Sequence, residues 1–317
     1  MSVSFKNQTI KTRERDKMKK ALLAILSAVL LITVTQPAQA EDQKVLAIID
    51  SAINSKNFNA IIHEVCFTTV KSTDPKQNMS CPNGQLFMEG PGAASSPWPL
   101  SLNTGTYHGD AMVKAALVTN PNIKIVFVRF HDVTSLGNSM GTTKALAAAI
   151  DWVSQNAAKY SIDAVSISQS SISKDNLNAC TGTGFFANEG VRTINAVSLL
   201  SASNIPTFVA TGNDRSSTVV GFPACVRGAI GVGALYSLEM FEKATNRGPG
   251  LDLVALGKVT ITKYGRTEPT DISGTSAAAV VSASSYIGKN INQAFTDYIN
   301  LLPKVKVSGV SYSYASK

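Results

Sequence analysis

The 317-residue chain is poor in the side chains that build metal sites. It has three histidines (His63, His108 and His131) and four cysteines, and no two cysteines stand in a C-x-x-C arrangement. A zinc centre is therefore not expected. The chain also lacks a membrane-length apolar run. The stretch from Ala21 to Val34 holds about fourteen residues, short of the roughly 20 that cross a bilayer as a helix. There is no internal repeat and no low-complexity linker, so a solenoid or a string of small domains is excluded. One domain over residues 41–317 is the simplest organisation.

What is present at the start is an export pattern. A basic stretch with Lys17, Lys19 and Lys20 leads into the apolar run; Thr35, Gln36 and Pro37 end it, and Ala38-Gln39-Ala40 supplies small residues for cleavage. This is the layout of a secretory signal peptide, so residues 1–40 are expected to be removed and the product to be secreted or periplasmic. Seven Lys or Arg but only two Asp or Glu fall within those residues, and removing them lowers the formal charge from +8 to +3. The apparent basicity belongs to the export signal, and a nucleic-acid partner loses its support. Four thiols (Cys66, Cys81, Cys180, Cys225) in an exported chain favour two disulfides. Sequence proximity pairs Cys66 with Cys81 and Cys180 with Cys225, although three pairings are open.

Strand-length apolar runs alternate with helix-length amphipathic stretches. Strands are expected at 44–50, 123–130, 163–168, 206–211, 229–235 and 251–256, and helices at 108–118, 142–158, 191–203 and 275–288. Residues 63–107, rich in Ser, Pro, Gly and Asn, read as irregular, and the Ser-rich tail 305–317 as a final strand or frayed end. Continuous apolar strands separated by helices predict a three-layer α/β fold, a mainly parallel sheet covered on both faces. Such sheets carry their sites at the carboxyl ends of the strands.

Four chemically capable residues sit at those ends. Asp50 closes the first strand, His108 opens a helix, Asn213 follows the strand PTFVAT, and Ser276 lies at the start of a helix of small residues. Singly, an Asp at a strand end is a turn former and a Ser at a helix start is a cap. Together, in the order Asp, His, Asn, Ser, they suit nucleophilic catalysis, since a serine hydroxyl needs a base to take its proton as it attacks a carbonyl.

These segments resemble those of the subtilisin-like serine peptidases over nearly all of the mature chain. VLAIIDSAI resembles the segment of the family's catalytic Asp, YHGDAMVKAAL that of its His, FVATGND that of its oxyanion-hole Asn, and SGTSAAAVV its nucleophile motif. IVFVRFHD and AIDWVSQNAAKYSIDAVSIS are similar to the central strand–helix–strand, and GFPAC and NRGPGLDLVALG to connecting stretches. The resemblance implies a triad of Asp50, His108 and Ser276, with Asn213 as oxyanion donor and Ser168, Gln169, Ser170 and Gly212 along the substrate. It implies an exported endopeptidase acting through an acyl-enzyme on protein or peptide substrates, a monomer with no lasting membrane association. No cofactor is expected, and a structural calcium held by backbone carbonyls would leave no trace in sequence.

Three departures stand out. Asp110 and Ala111 replace the usual Thr and His after Gly109, Ala277 and Val280 replace Met and Pro after the nucleophile, and Ser170 replaces a Gly in the substrate strand. The charge of Asp110 is expected to raise the pKa of His108. Little room remains between Ala40 and Asp50 for the folding-assisting segment that many exported relatives carry. The departures keep open a pseudoprotease that only binds peptides, and a ligase or cyclase shares the acyl-enzyme. GNSMG (137–141) matches the G-x-S-x-G elbow of esterases, but that fold needs a strand directly before Ser139 and a later His, and His131 is the last one.

Overall fold

The computed structural model describes residues 43–69, 80–95, 108–133, 139–262, 268–289 and 295–316. The expected signal peptide lies outside the described residues. Strand β1 (Val45–Ser51) is buried along its whole length. Leu46 and Ile48 enter one apolar cluster, while Val45, Ala47 and Ile49 enter the other. Side chains alternate across a strand, so burial on both faces demands an unbroken apolar run.

On one side β1 pairs in parallel with β4 (Lys124–Val133), and β4 with β2 (Ile61–Phe67). On the other side β6 (Ile162–Ile167), β7 (Thr207–Ala210), β8 (Ile230–Ser237) and β10 (Leu253–Leu256) follow, all parallel. The short β3 (Phe87–Glu89) lines one edge antiparallel to β2. At the other edge β14 (Val310–Ala315) pairs in parallel with β10 and turns back on β13 (Lys304–Val307). Helices α1 (His108–Thr119) and α5 (Thr275–Gly288) cover one face, and α2 (Thr143–Asn156) and α4 (Ala187–Ala202) the other. The expected three-layer α/β fold is what the chain adopts. No helix among the described residues is long and apolar enough to cross a membrane.

Helix α5 explains how one serine comes to face outward. From Thr275 to Ile287 every residue is buried except Ser276. Its Ala and Ser side chains let the helix lie close against the sheet and α1, and Ser284 Oγ donates to Ala116 O at 2.8 Å. A helix apolar or small all round belongs in a core. Ser276 is its one opening.

One sequence expectation is corrected. The stretch 63–107 is not irregular throughout, because part of β2 and all of β3 fall within it; the pairing of β2 with β4 and of β3 with β2, both long-range contacts, overrides the local Ser/Pro/Gly composition. Ser139 opens β5 (Ser139–Gly141), antiparallel to β4, so it does not stand on a strand-to-helix elbow. The tail beyond Pro303 forms the edge hairpin rather than fraying. Both proximity pairings of cysteine are present, Cys66–Cys81 and Cys180–Cys225. Segment 80–95 is held to the sheet by more than its disulfide. The buried Glu64 carboxylate accepts from Gly92 N at 2.9 Å and Ala94 N at 3.1 Å, and Arg129 Nη1 donates to Ser95 O at 2.7 Å.

Candidate active site

Asp50 is the last residue but one of β1, its side chain only 2% exposed, and His108 opens α1 with its side chain 42% exposed. Asp50 Oδ1 meets His108 Nδ1 at 2.8 Å and also accepts the Ser51 N–H at 2.6 Å. A carboxylate held this way selects the imidazole tautomer with the proton on Nδ1 and leaves Nε2 free to accept. Burial alone would lower the His108 pKa. The charge of Asp50 and its hydrogen bond outweigh that, and His108 titrates above the ordinary imidazole value of 6.5.

Ser276 stands at the first turn of α5, whose N-cap is Gly274 (φ 113°), with no side-chain cap. Gly274 itself offers the helix-start N–H groups no side-chain acceptor. Asn213 lies beside this turn. Its Oδ1 accepts from Thr275 N at 3.2 Å and Thr275 Oγ1 at 3.1 Å, and Thr275 Oγ1 in turn accepts from Gly212 N at 3.2 Å. With Oδ1 committed to Thr275, the Nδ2 end of the exposed Asn213 amide is the end left for another acceptor. Gly274 is needed here: a Cβ on it would sit 3.2 Å from Asn213 Oδ1 and 3.3 Å from Nδ2, at a φ that L residues avoid.

A residue that sequence reasoning missed organises this loop. Asn246, fully buried, accepts from Asp214 N at 2.9 Å and Ser216 N at 3.0 Å, and donates to Thr211 O at 3.1 Å and Asp214 Oδ2 at 2.8 Å. Both ends of its amide are used, and the 211–216 loop is tied down on either side of Asn213. Its only sequence signal was an Asn before an Arg-Gly-Pro-Gly turn, where Asn is an ordinary turn former.

Ser168, Gln169 and Ser170 continue beyond β6, all half-buried. Ser276 Oγ donates to Ser168 O at 3.4 Å, and Ser168 Oγ to Ser276 O at 3.4 Å. The Ser276 hydroxyl is thus turned to Ser168 and not hydrogen-bonded to His108. Ser170 Oγ donates to Thr211 O at 2.9 Å. Two glycines make room for that hydroxyl, since a Cβ on Gly212 would lie 2.6 Å from it and one on Gly221 2.1 Å. Gln169 lines a cavity of about 130 Å³ with Phe130, Leu146 and Phe222. The structure therefore joins Asp50 to His108, Asn213 and Gly212 to the Ser276 turn, and Ser168 to Ser276 itself.

The expectation for Asp110 is corrected. The charge that raises His108 is that of Asp50, and Asp110 bonds instead to Asn54 N at 2.9 Å. Burial pushes the Asp110 carboxyl up to about 6. His63 belongs elsewhere, stacked on Tyr160 (centroids 4.3 Å apart) and 3.0 Å from Glu89 Oε1. Among the described residues no three His, Cys, Asp or Glu side chains converge as metal ligands.

An extracellular serine proteinase of Thermus sp. (strain Rt41A) is 31% identical to the chain over 154 residues, 48% of this chain and 33% of that protein. The match spans about a third of that relative's length. Among solved structures, a protease from Pseudoalteromonas arctica PAMC 21717 superposes with a TM-score of 0.51 at 19% identity, over 77% of this chain and 76% of that one. A lanthipeptide protease gives 0.53 at 14% identity, over 77% of this chain and 72% of that one. At such identities the likeness speaks for the fold alone, and it agrees with the parallel sheet between two helix layers. Membership rests on sequence: the subtilase family model matches residues 103–296, more than half of the chain, with His108, Asn213 and Ser276 inside the match and Asp50 before it. The chain belongs to the subtilase family.

Proposed function

We propose that the chain is an exported serine endopeptidase that cleaves peptide bonds through an acyl-enzyme on Ser276. One observation carries the reading: a buried carboxylate holds the His108 ring at 2.8 Å on a helix packed against α5, in which Ser276 is the one residue between Thr275 and Ile287 that is not buried. In the reaction Ser276 Oγ leaves the Ser168 carbonyl and attacks the scissile carbon as His108 Nε2 takes its proton. The carbonyl oxygen, now anionic, is received by Asn213 Nδ2 and the Ser276 N–H. The C–N bond breaks as His108 returns the proton to the leaving amine. Water then attacks the ester with His108 again as base, releasing the acid and restoring Ser276. Ser168 to Ser170 and Gly212 flank the path of the substrate chain. Export is supported by the pattern in residues 1–40, by two disulfides and by the extracellular relative.

One observation favours a second reading, a peptide-binding protein without turnover: the Ser276 hydroxyl is bonded to Ser168 O and not to His108. A serine-directed fluorophosphonate separates the two. Labelling of the purified chain that disappears in Ser276→Ala supports the peptidase. No labelling, or equal labelling of both, overturns it. Mass analysis of products made with an added amine acceptor then tells hydrolysis from ligation, since both share the acyl-enzyme.

A further inference from the structure

Three consecutive residues at the start of α1 grip the turn that leaves β1. His108 Nδ1 bonds Asp50 Oδ1 at 2.8 Å, Gly109 N donates to Ser51 Oγ at 3.0 Å, and Asn54 N donates to Asp110 Oδ1 at 2.9 Å. The two segments touch closely, for a Cβ on Gly109 would stand 2.6 Å from Ser51 O and 2.9 Å from Ala52 O. Asp110 is 1% exposed, and its Oδ2 is buried with no hydrogen-bond partner. A carboxyl in that setting is costly to keep, more so when ionised.

We propose that Asp110 is a positioning residue for the Asp50–His108 pair, and that it works as a hydrogen-bond acceptor and not as a charge. By taking the Asn54 N–H it holds the turn after Asp50 against the first turn of the His108 helix. The inference rests on the reading of His108 as general base.

The surroundings support an acceptor role. Asp110 has no ion-pair partner among the described residues. Lys114, on the same helix, is the cation that acts on it, but that ammonium is exposed and bonded to Thr262 O at 2.7 Å. From the packed neighbours, β1 contributes Asp50, α5 has Tyr286 as its only titratable side chain, and β11 (Val259–Thr262) has none. His108 itself is the remaining titratable group nearby on α1. Burial is the largest influence on the Asp110 carboxyl and outweighs both the Asn54 hydrogen bond and Lys114.

The test compares Asp110→Asn, which keeps the acceptor and removes the charge, with Asp110→Ala, which removes both. Peptide hydrolysis gives kcat and KM, and NMR gives the His108 Nδ1–H resonance and the ring titration without any need for turnover. Asp110→Asn is expected to leave kcat within about twofold and the His108 titration in place. Asp110→Ala is expected to lower kcat about tenfold, the scale of one lost buried hydrogen bond, with KM nearly unchanged and the Nδ1–H resonance displaced. Asn54→Pro deletes the donated N–H from the other side, and the same loss is expected should Asp110→Ala fail to fold. The proposal is overturned if Asp110→Asn falls as far as Asp110→Ala or moves the His108 titration. It is also overturned if Asp110→Ala and Asn54→Pro leave both kcat and the resonance untouched. A wild-type chain whose resonance responds as expected yet cleaves no peptide would sink the peptidase reading and leave this one standing.

Discussion

Asp110→Asn also makes a quantitative prediction about stability, best measured in a Ser276→Ala background that cannot digest itself. Burial raises the folded-state pKa of Asp110 from 3.8 to about 6, against the opposing Asn54 hydrogen bond and Lys114 charge. The unfolded chain titrates at the ordinary value, so the folded state holds this proton more tightly. Below about pH 4 the carboxyl is protonated in both states and no ionisation penalty is present. The penalty builds between about pH 4 and pH 6 and is complete above that range. A shift of about two pK units corresponds to about 3 kcal/mol. Asparagine keeps the Oδ1 acceptor and has nothing to titrate. The stability of the Asn variant relative to the parent should therefore rise by about 3 kcal/mol from about pH 4 to about pH 7.5. His108, held above its ordinary value by Asp50, is common to both proteins and cancels in the difference. Urea unfolding at the two pH values, with disulfides intact, reads it directly. A difference that stays constant with pH, or that shrinks, refutes the argument that this carboxyl is buried at an energetic cost.

Asp50→Asn removes the attraction that raises His108 and leaves the burial that lowers it. In the parent, activity should rise with pH through a His108 pKa above 6.5; in the variant it should fall on the order of 10⁴-fold, with its acid limb moved to lower pH. A kcat/KM profile against pH checks both. Asn246→Ala strands the N–H groups of Asp214 and Ser216. It should destabilise the chain by about 2–3 kcal/mol and lower kcat up to ~10²-fold with KM little changed, as loss of an oxyanion donor would. Steady-state kinetics and urea midpoints test it, and a KM effect alone would contradict the role given to the 211–216 loop. Replacing Cys66 and Cys81 by serine opens a bridge of sequence separation 15, for which about 3 kcal/mol of stability should be lost. Glu64 and Arg129 still hold the segment, so fluorophosphonate labelling of Ser276 under native conditions should persist.

Much of this protein is legible in one dimension because its strands are buried on both faces. A run such as VLAIID can be nothing but apolar when Leu46 and Ile48 face one layer and Ala47 and Ile49 the other. The same constraint marks its end, where Asp50 is the first residue polar enough to be noticed. Helix α5 is legible for a similar reason, since a stretch of Ala, Ser and Val with one half-buried Ser is what close packing on a sheet requires. Strand β2 and the short edge strand β3 were not, because the pairing of β2 with β4 and of β3 with β2 is made across the fold and their local composition reads as turn. The same holds for the fine structure of the site. Sequence placed Asp50, His108, Asn213 and Ser276 at element ends but assigned Asp110 to the wrong task. Which way its carboxyl points depends on the Asn54 N–H, more than fifty residues earlier in the chain. Asn246 was invisible for the same reason: four hydrogen bonds to a loop some thirty residues away turn an ordinary turn residue into the support of Asn213. Periodic burial is a local property and is written in the order of residues. Hydrogen-bond partnership is a property of distance in space, and only the folded chain decides it.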